Sequence, residues 1–108
     1  VDYRARLHAE VERMSRALVD LGAERVILIG SLAQGRADEL TDVDLVAVID
    51  TPLPFVERSA WVYGALVPIV DADIIVYTPE EFDRMSDRAF LKHALAKGVV
   101  LYEKGTTR

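Results

Sequence analysis

The chain contains no cysteine, so disulfide bridges and thiolate metal sites are excluded from the start. It also lacks long apolar runs. The longest, Val26-Ile27-Leu28-Ile29 and Leu45-Val46-Ala47-Val48-Ile49, have the length of strands. Neither approaches the roughly 18 residues of a membrane-spanning helix. The opening Val1-Asp2-Tyr3-Arg4-Ala5-Arg6 has no apolar core of the kind a secretory signal carries, so a cytoplasmic setting is expected. Positive charge is in the minority, with 13 Lys and Arg against 18 Asp and Glu, a net charge of −5. Strong nucleic-acid binding needs a basic surface to displace counterions, and this balance argues against it. A nucleotide held through metal ions stays compatible, because the cations supply the charge that the protein lacks. Excess carboxylate is what a magnesium site contributes.

What is present is the composition of a folded protein, 51% hydrophobic and 29% charged. A chain of 108 residues has the size of one domain, taken as residues 1–108, with enough material for a core. No internal repeat, low-complexity tract or linker interrupts it.

Hydrophobic spacing predicts an amphipathic helix over residues 3–21, with Tyr3, Leu7, Val11, Met14, Leu18 and Leu21 recurring at intervals of three and four. Arg4, Glu10, Glu12, Arg13 and Arg16 fall on its other faces. Asp2 is the expected cap and Gly22 the expected stop. Arg25 to Ile29 reads as a buried strand ended by Gly30-Ser31, and Leu32 to Leu40 as a short helical turn plus a loop. Val43 to Ile49 is a second strand, closed by Thr51-Pro52-Leu53-Pro54, whose prolines forbid a central strand. Phe55 to Leu66 has helical spacing, and Ile69 to Tyr77 is the third strand. Pro79 suits the first position of another helix, capped by Thr78, with Glu80 and Glu81 in its first turn. That helix is expected to break near Ser86-Asp87 and resume from Arg88 to Lys97, stopping at Gly98. Val99 to Tyr102 is a short last strand and Glu103 to Arg108 a frayed tail. The order predicts an α+β fold, a small mixed β-sheet with helices packed mainly on one face.

Three acidic positions carry the candidate chemistry. Asp42 and Asp44 lie at alternate positions, so both side chains face the same way, about 6.5–7 Å apart at the backbone. Two carboxylates so placed can converge on a pair of divalent cations that clamp the attacking and leaving oxygens of a phosphoryl transfer. Asp73, in the third strand, joins them if that strand pairs beside Val43 to Ile49; its role would be metal ligand and general base. Asp71 points to the same face, and alternation does not choose between the two. Upstream, Gly30 lets the backbone approach a phosphate, Ser31 adds a hydroxyl donor and backbone amides at a helix start attract anions. Gly35 is a second permissive point and Arg36 a candidate phosphate contact. A lone Gly-Ser turn or a lone Asp-x-Asp is weak; the ordered set is specific.

The segments Gly30-Ser31-Leu32-Ala33-Gln34-Gly35 and Thr41-Asp42-Val43-Asp44-Leu45 resemble the signature of the beta-type DNA polymerase nucleotidyltransferase superfamily. With the ending Asp73-Ile74-Ile75-Val76-Tyr77-Thr78-Pro79-Glu80-Glu81-Phe82 and the small size, the chain is similar to the minimal nucleotidyltransferases within it, from about Leu18 to Tyr102. The resemblance favours Asp73 over Asp71. It implies Gly30 and Ser31 on the triphosphate, and Asp42, Asp44 and Asp73 as both catalytic residues and ligands of two Mg2+ ions, with ATP as donor. Gln34 stands where many members have arginine, which leaves Arg36 as the candidate substitute. Members paired with a helical HEPN-type toxin are thought to act as antitoxins that transfer AMP onto a tyrosine of the toxin. By length, the acceptor is expected on such a partner or on a second copy of this chain. The alternatives are a weakly catalytic or non-catalytic module that neutralises a toxin by occlusion, and a small-molecule nucleotidyltransferase subunit. His8 and His93 are not promoted to catalysis, and Trp61 and Tyr63 are expected to pack the middle helix against the sheet.

Overall fold

A computed structural model of the chain describes residues 2–38 and 40–105. The elements run α1 (Tyr3–Asp20), β1 (Ala23–Ile29), α2 (Gly30–Ala33), β2 (Val43–Ile49), α3 (Phe55–Leu66), β3 (Ala72–Tyr77), α4 (Pro79–Met85), α5 (Ala89–Lys97) and β4 (Val99–Glu103). The four strands form one sheet in the order β3-β2-β1-β4. β1 pairs antiparallel with both β2 and β4, and β2 pairs parallel with β3, so the sheet is mixed and the fold α+β as expected.

Alternation along the strands sorts side chains onto two faces. Val43, Leu45, Ala47 and Ile49 of β2 join Val26 and Leu28 of β1 and Ala72, Ile74 and Val76 of β3 under the long helices α1 and α3. Leu7, Val11, Met14 and Leu18 from α1 and Val62 and Leu66 from α3 close this larger core. The opposite face presents Ile27, Ile29, Val46, Val48 and Tyr77, covered more thinly by Phe82 of α4 and Leu91 and Ala94 of α5. Among the described residues no helix is long and apolar enough to cross a membrane.

Local chemistry sets the element ends. Asp2 caps α1 by accepting from the Ala5 amide at 3.1 Å. After Leu21, Gly22 turns the chain at φ +104°, a conformation that costs an L side chain about 1–2 kcal/mol. Thr78 and Glu81 form a capping box around Pro79 at the start of α4. The expected break at Ser86-Asp87 is present, and α5 resumes with Arg88 as its N-cap residue. Of the expected tail, Glu103 ends β4 and the Lys104 amide donates to Glu24 O at 2.8 Å; residues 106–108 lie outside the described residues, as do Val1 and Glu39.

Two sequence expectations need correction. Glu10, set by spacing off the apolar stripe of α1, is nevertheless buried at 3% exposure. Its carboxylate accepts from Arg13 Nε and Nη2, both at 2.7 Å, and from the Ile69 amide at 2.9 Å. The Arg13 guanidinium in turn donates to Leu66 O at 2.9 Å and Val67 O at 3.3 Å, carbonyls that the end of α3 leaves without helical partners. The second concerns β3. The third strand starts at Ala72, not Ile69, whose amide donates to Glu10 and not to a strand partner.

The outer edge of β3 is covered by α3. Ser59 Oγ donates to Ile74 O at 3.4 Å and Arg58 Nη1 to Val76 O at 3.1 Å. Arg58 is buried, and its guanidinium also pairs with Glu81 at 2.6 Å, which ties α3 and β3 to the start of α4. An edge strand thus blunted is a poor template for pairing with another chain.

Candidate active site

The register of the sheet assembles the acidic residues. Asp44, in β2, lies directly opposite Asp73 in β3, and Ile29 at the end of β1 lies opposite Asp44 on the other side. Asp44 and Asp73 therefore share the thinly covered face at one end of the sheet. Asp42 precedes β2 by one residue, and Asp71 stands just ahead of β3 with its carbonyl accepting from the Val43 amide at 2.9 Å. Pairing thus sets Asp73, not Asp71, against Asp44. The chain reaches Asp42 through a closed turn. Asp38 Oδ1 accepts from the Leu40 amide at 2.8 Å, and Thr41 Oγ1 accepts from the Asp38 amide at 2.9 Å.

Asp42 and Asp73 are exposed and Asp44 is half-buried. The Asp44 carboxyl is held above the ordinary carboxylate range by burial first, then by the charges of Asp73 and Asp42 and a hydrogen bond with Asp73. Among the described residues no basic side chain forms an ion pair with any of the three. They are carboxylates crowded together without a cation.

Gly30 lies against this group at φ +75°. A Cβ there would fall on Asp44 Oδ2 and come within 3.2 Å of its Cγ, so only glycine leaves this carboxylate in place. α2 begins at Gly30 itself and spans four residues, too few aligned peptides for an appreciable macrodipole. The turn therefore offers the Ser31 hydroxyl and an open backbone. Arg4 fastens its far end, donating from Nη2 to Gly35 O at 2.9 Å.

Two hollows flank Asp44. A cleft of about 930 Å³ runs over the sheet from Gly30 and Gln34 past Asp44 and Asp73 to Ile75, and α5 walls it with Phe90, His93, Ala94 and Lys97. A smaller hollow of about 270 Å³ on the other side joins Ser31, Arg36, Asp42 and Asp44. The expected site residues are thus brought together around Asp44. Arg36 shares the small hollow, not the cleft beneath α5.

Ser59 and Tyr63 of α3 also line the main cleft, and with Phe90, His93 and Lys97 they are residues that motif spacing does not single out. Tyr63 lines hollows shared with Asp42, Asp44, Asp71 and Asp73, and its phenol is held above its ordinary value by burial, then by the charges of Asp73, Asp71, Asp42 and Asp44. A signal for α5 was present in the sequence. Phe90, His93 and Lys97 repeat at three and four, a mixed stripe beside the apolar Leu91, Ala94 and Leu95.

The donor set can be tested against the magnesium that the motif implies. Among the described residues no group of three or more His, Cys, Asp or Glu side chains is placed to hold a metal ion by itself. Magnesium, however, is ordinarily held by one or two carboxylates with phosphate and water oxygens, not by an all-protein cage. Hard oxygens crowded without a counter-charge, beside a backbone that only glycine leaves open, fit such an ion carried with a phosphate chain.

Comparison of the chain with known protein families, curated proteins and solved structures finds no match.

Proposed function

We propose that the protein is a magnesium-dependent nucleotidyltransferase that moves AMP from ATP onto a hydroxyl, a tyrosine by preference, of a HEPN-type helical partner, and so acts as an antitoxin. The observation that carries the enzymatic part is the meeting of Asp44 and Asp73 across β2 and β3, with Gly30 open against Asp44. The partner and the tyrosine rest on the resemblance in the motif.

In this reading Asp42, Asp44 and Asp73 would hold two divalent ions, which would supply positive charge to the phosphates and Lewis-acid activation of the α-phosphorus. Gly30 keeps Asp44 in position and lets the backbone approach the phosphate chain, and Ser31 donates its hydroxyl to a phosphate oxygen. Asp73 is exposed and lines the main cleft, where it is open to an incoming hydroxyl. It takes the proton as the hydroxyl oxygen bonds to the α-phosphorus and the bond to pyrophosphate breaks. Water is poorly excluded from so open a site, which suits an acceptor that arrives on another molecule and covers it.

The test is to incubate the protein with magnesium, labelled ATP and a HEPN-type helical protein from the same source, and to weigh that protein. Addition of AMP that disappears in Asp42→Asn/Asp44→Asn supports the reading. A wild type that adds nothing yet still neutralises the partner overturns it in favour of occlusion.

A further inference from the structure

The cleft beneath α5 has an acidic side and a basic side, and only the acidic side is used above. His93 and Lys97 are one turn apart on α5, about 6 Å along the helix axis, and both line the cleft. The helix end that bears Lys97 is pinned beside the end of β1. A Cβ on the next residue, Gly98, would lie 3.0 Å from Leu28 O and 3.0 Å from the Ile27 side chain, so α5 and β1 are nearly in contact there. Val99, which follows, is the register partner of Leu28. Gly30 is two residues beyond Leu28, which puts Lys97 at the same end of the cleft as the Gly30-Ser31 turn.

Charge bookkeeping points the same way. Arg13 is spent on Glu10, Arg25 on Glu103 and Arg58 on Glu81, while Arg4 holds Gly35 O. Among the described residues His93 and Lys97 have no hydrogen bond or ion pair, although Asp44 and Asp73 line the same cleft. Arg36, the other candidate, lies across Asp44 in the small hollow. Lys97 thus brings an unpaired positive charge into the cleft that holds Asp44 and Asp73, where it is available to an anionic ligand.

We propose that Lys97, with His93 above it, binds the terminal phosphates of the nucleoside triphosphate and holds the departing pyrophosphate. This rests on the nucleotidyltransferase reading and assigns the phosphate-binding charge to α5 in place of Arg36. Lysine acts here as a point charge on a flexible stem, which suits a phosphate chain whose charge shifts as the α–β bond breaks. AMP lacks those phosphates and does not engage Lys97.

The test is calorimetric titration, in magnesium, of the wild type, Lys97→Met, Lys97→Arg and His93→Gln with ATP, AMP and inorganic tripolyphosphate. Lys97→Met keeps the aliphatic stem on an exposed position and removes the charge. It is expected to weaken ATP and tripolyphosphate about tenfold while AMP changes less than about twofold. Lys97→Arg restores most of the loss, and His93→Gln weakens ATP by about threefold. Equal ATP affinity in wild type and Lys97→Met overturns the assignment and leaves the enzyme reading standing, as does an equal loss for AMP and ATP. A wild type that binds neither ATP nor tripolyphosphate overturns both.

Discussion

The seam between α1 and the end of α3 and the cleft beneath α5 both draw carboxylates out of water, and they treat them in opposite ways. In the seam, Glu10 is gripped by two Arg13 nitrogens and a backbone amide, and its carboxyl is pushed below its ordinary value, chiefly by the Arg13 hydrogen bonds. In the cleft, Asp44 meets other carboxylates and is pushed up, first by burial. The first arrangement is complete and holds two elements together. The second has no basic partner among the described residues, and under the proposed function a divalent cation with a phosphate chain would supply the counter-charge. Such groups of perturbed, unneutralised acids mark places where function is paid for with stability.

The largest expected effect separates the two regions by activity. Asp42→Asn/Asp44→Asn should lower AMP transfer at least about a hundredfold. The thermal midpoint of the metal-free protein should not fall, because like charges have been removed; a clear drop would show these acids to be structural. Gly30→Ala comes next. Left-handed strain costs about 1–2 kcal/mol, and the new methyl displaces Asp44. Transfer should fall more than about tenfold while the fold survives, as read from product mass and far-ultraviolet dichroism.

In the seam the order reverses. Glu10→Ala removes hydrogen bonds to Arg13 and Ile69 and should cost about 2 kcal/mol in urea denaturation, with ATP affinity unchanged. Glu10 and Glu81 are both held below the ordinary 4.5, each chiefly by an arginine. Their contribution is present above the unfolded value and is lost as pH falls through the lower folded values. Stability should therefore decline below about pH 4.5, and Glu10→Gln should flatten that decline. The smallest effect is expected from Arg36→Ala. If α5 carries the phosphates, ATP affinity should change less than about threefold. A loss larger than that of Lys97→Met would return the phosphates to the small hollow.

Much of this architecture is legible in the sequence. The strand Val43 to Ile49 and the helix Phe55 to Leu66 have the bounds that spacing predicts, and Thr78, Pro79 and Glu81 cap α4 as their order suggests. The alternation of Asp42 and Asp44 put both on one side, and both line the small hollow. Glu10 was misread because periodicity measures only apolar character. A carboxylate buried by an arginine three residues away and an amide fifty-nine residues away leaves no trace in it. His93 and Lys97 were passed over for a related reason, since their significance depends on which strand α5 crosses.

The sequence by itself determined the order of the elements, their caps and which strand residues share a side, because these depend on neighbours a few positions apart. Only the tertiary structure decided that Asp73 faces Asp44, that Gly30 must be bare, and that α5 brings His93 and Lys97 into the cleft of the acids. Those facts follow from strand register and helix crossing, which are set by long-range burial and pairing that no local pattern encodes.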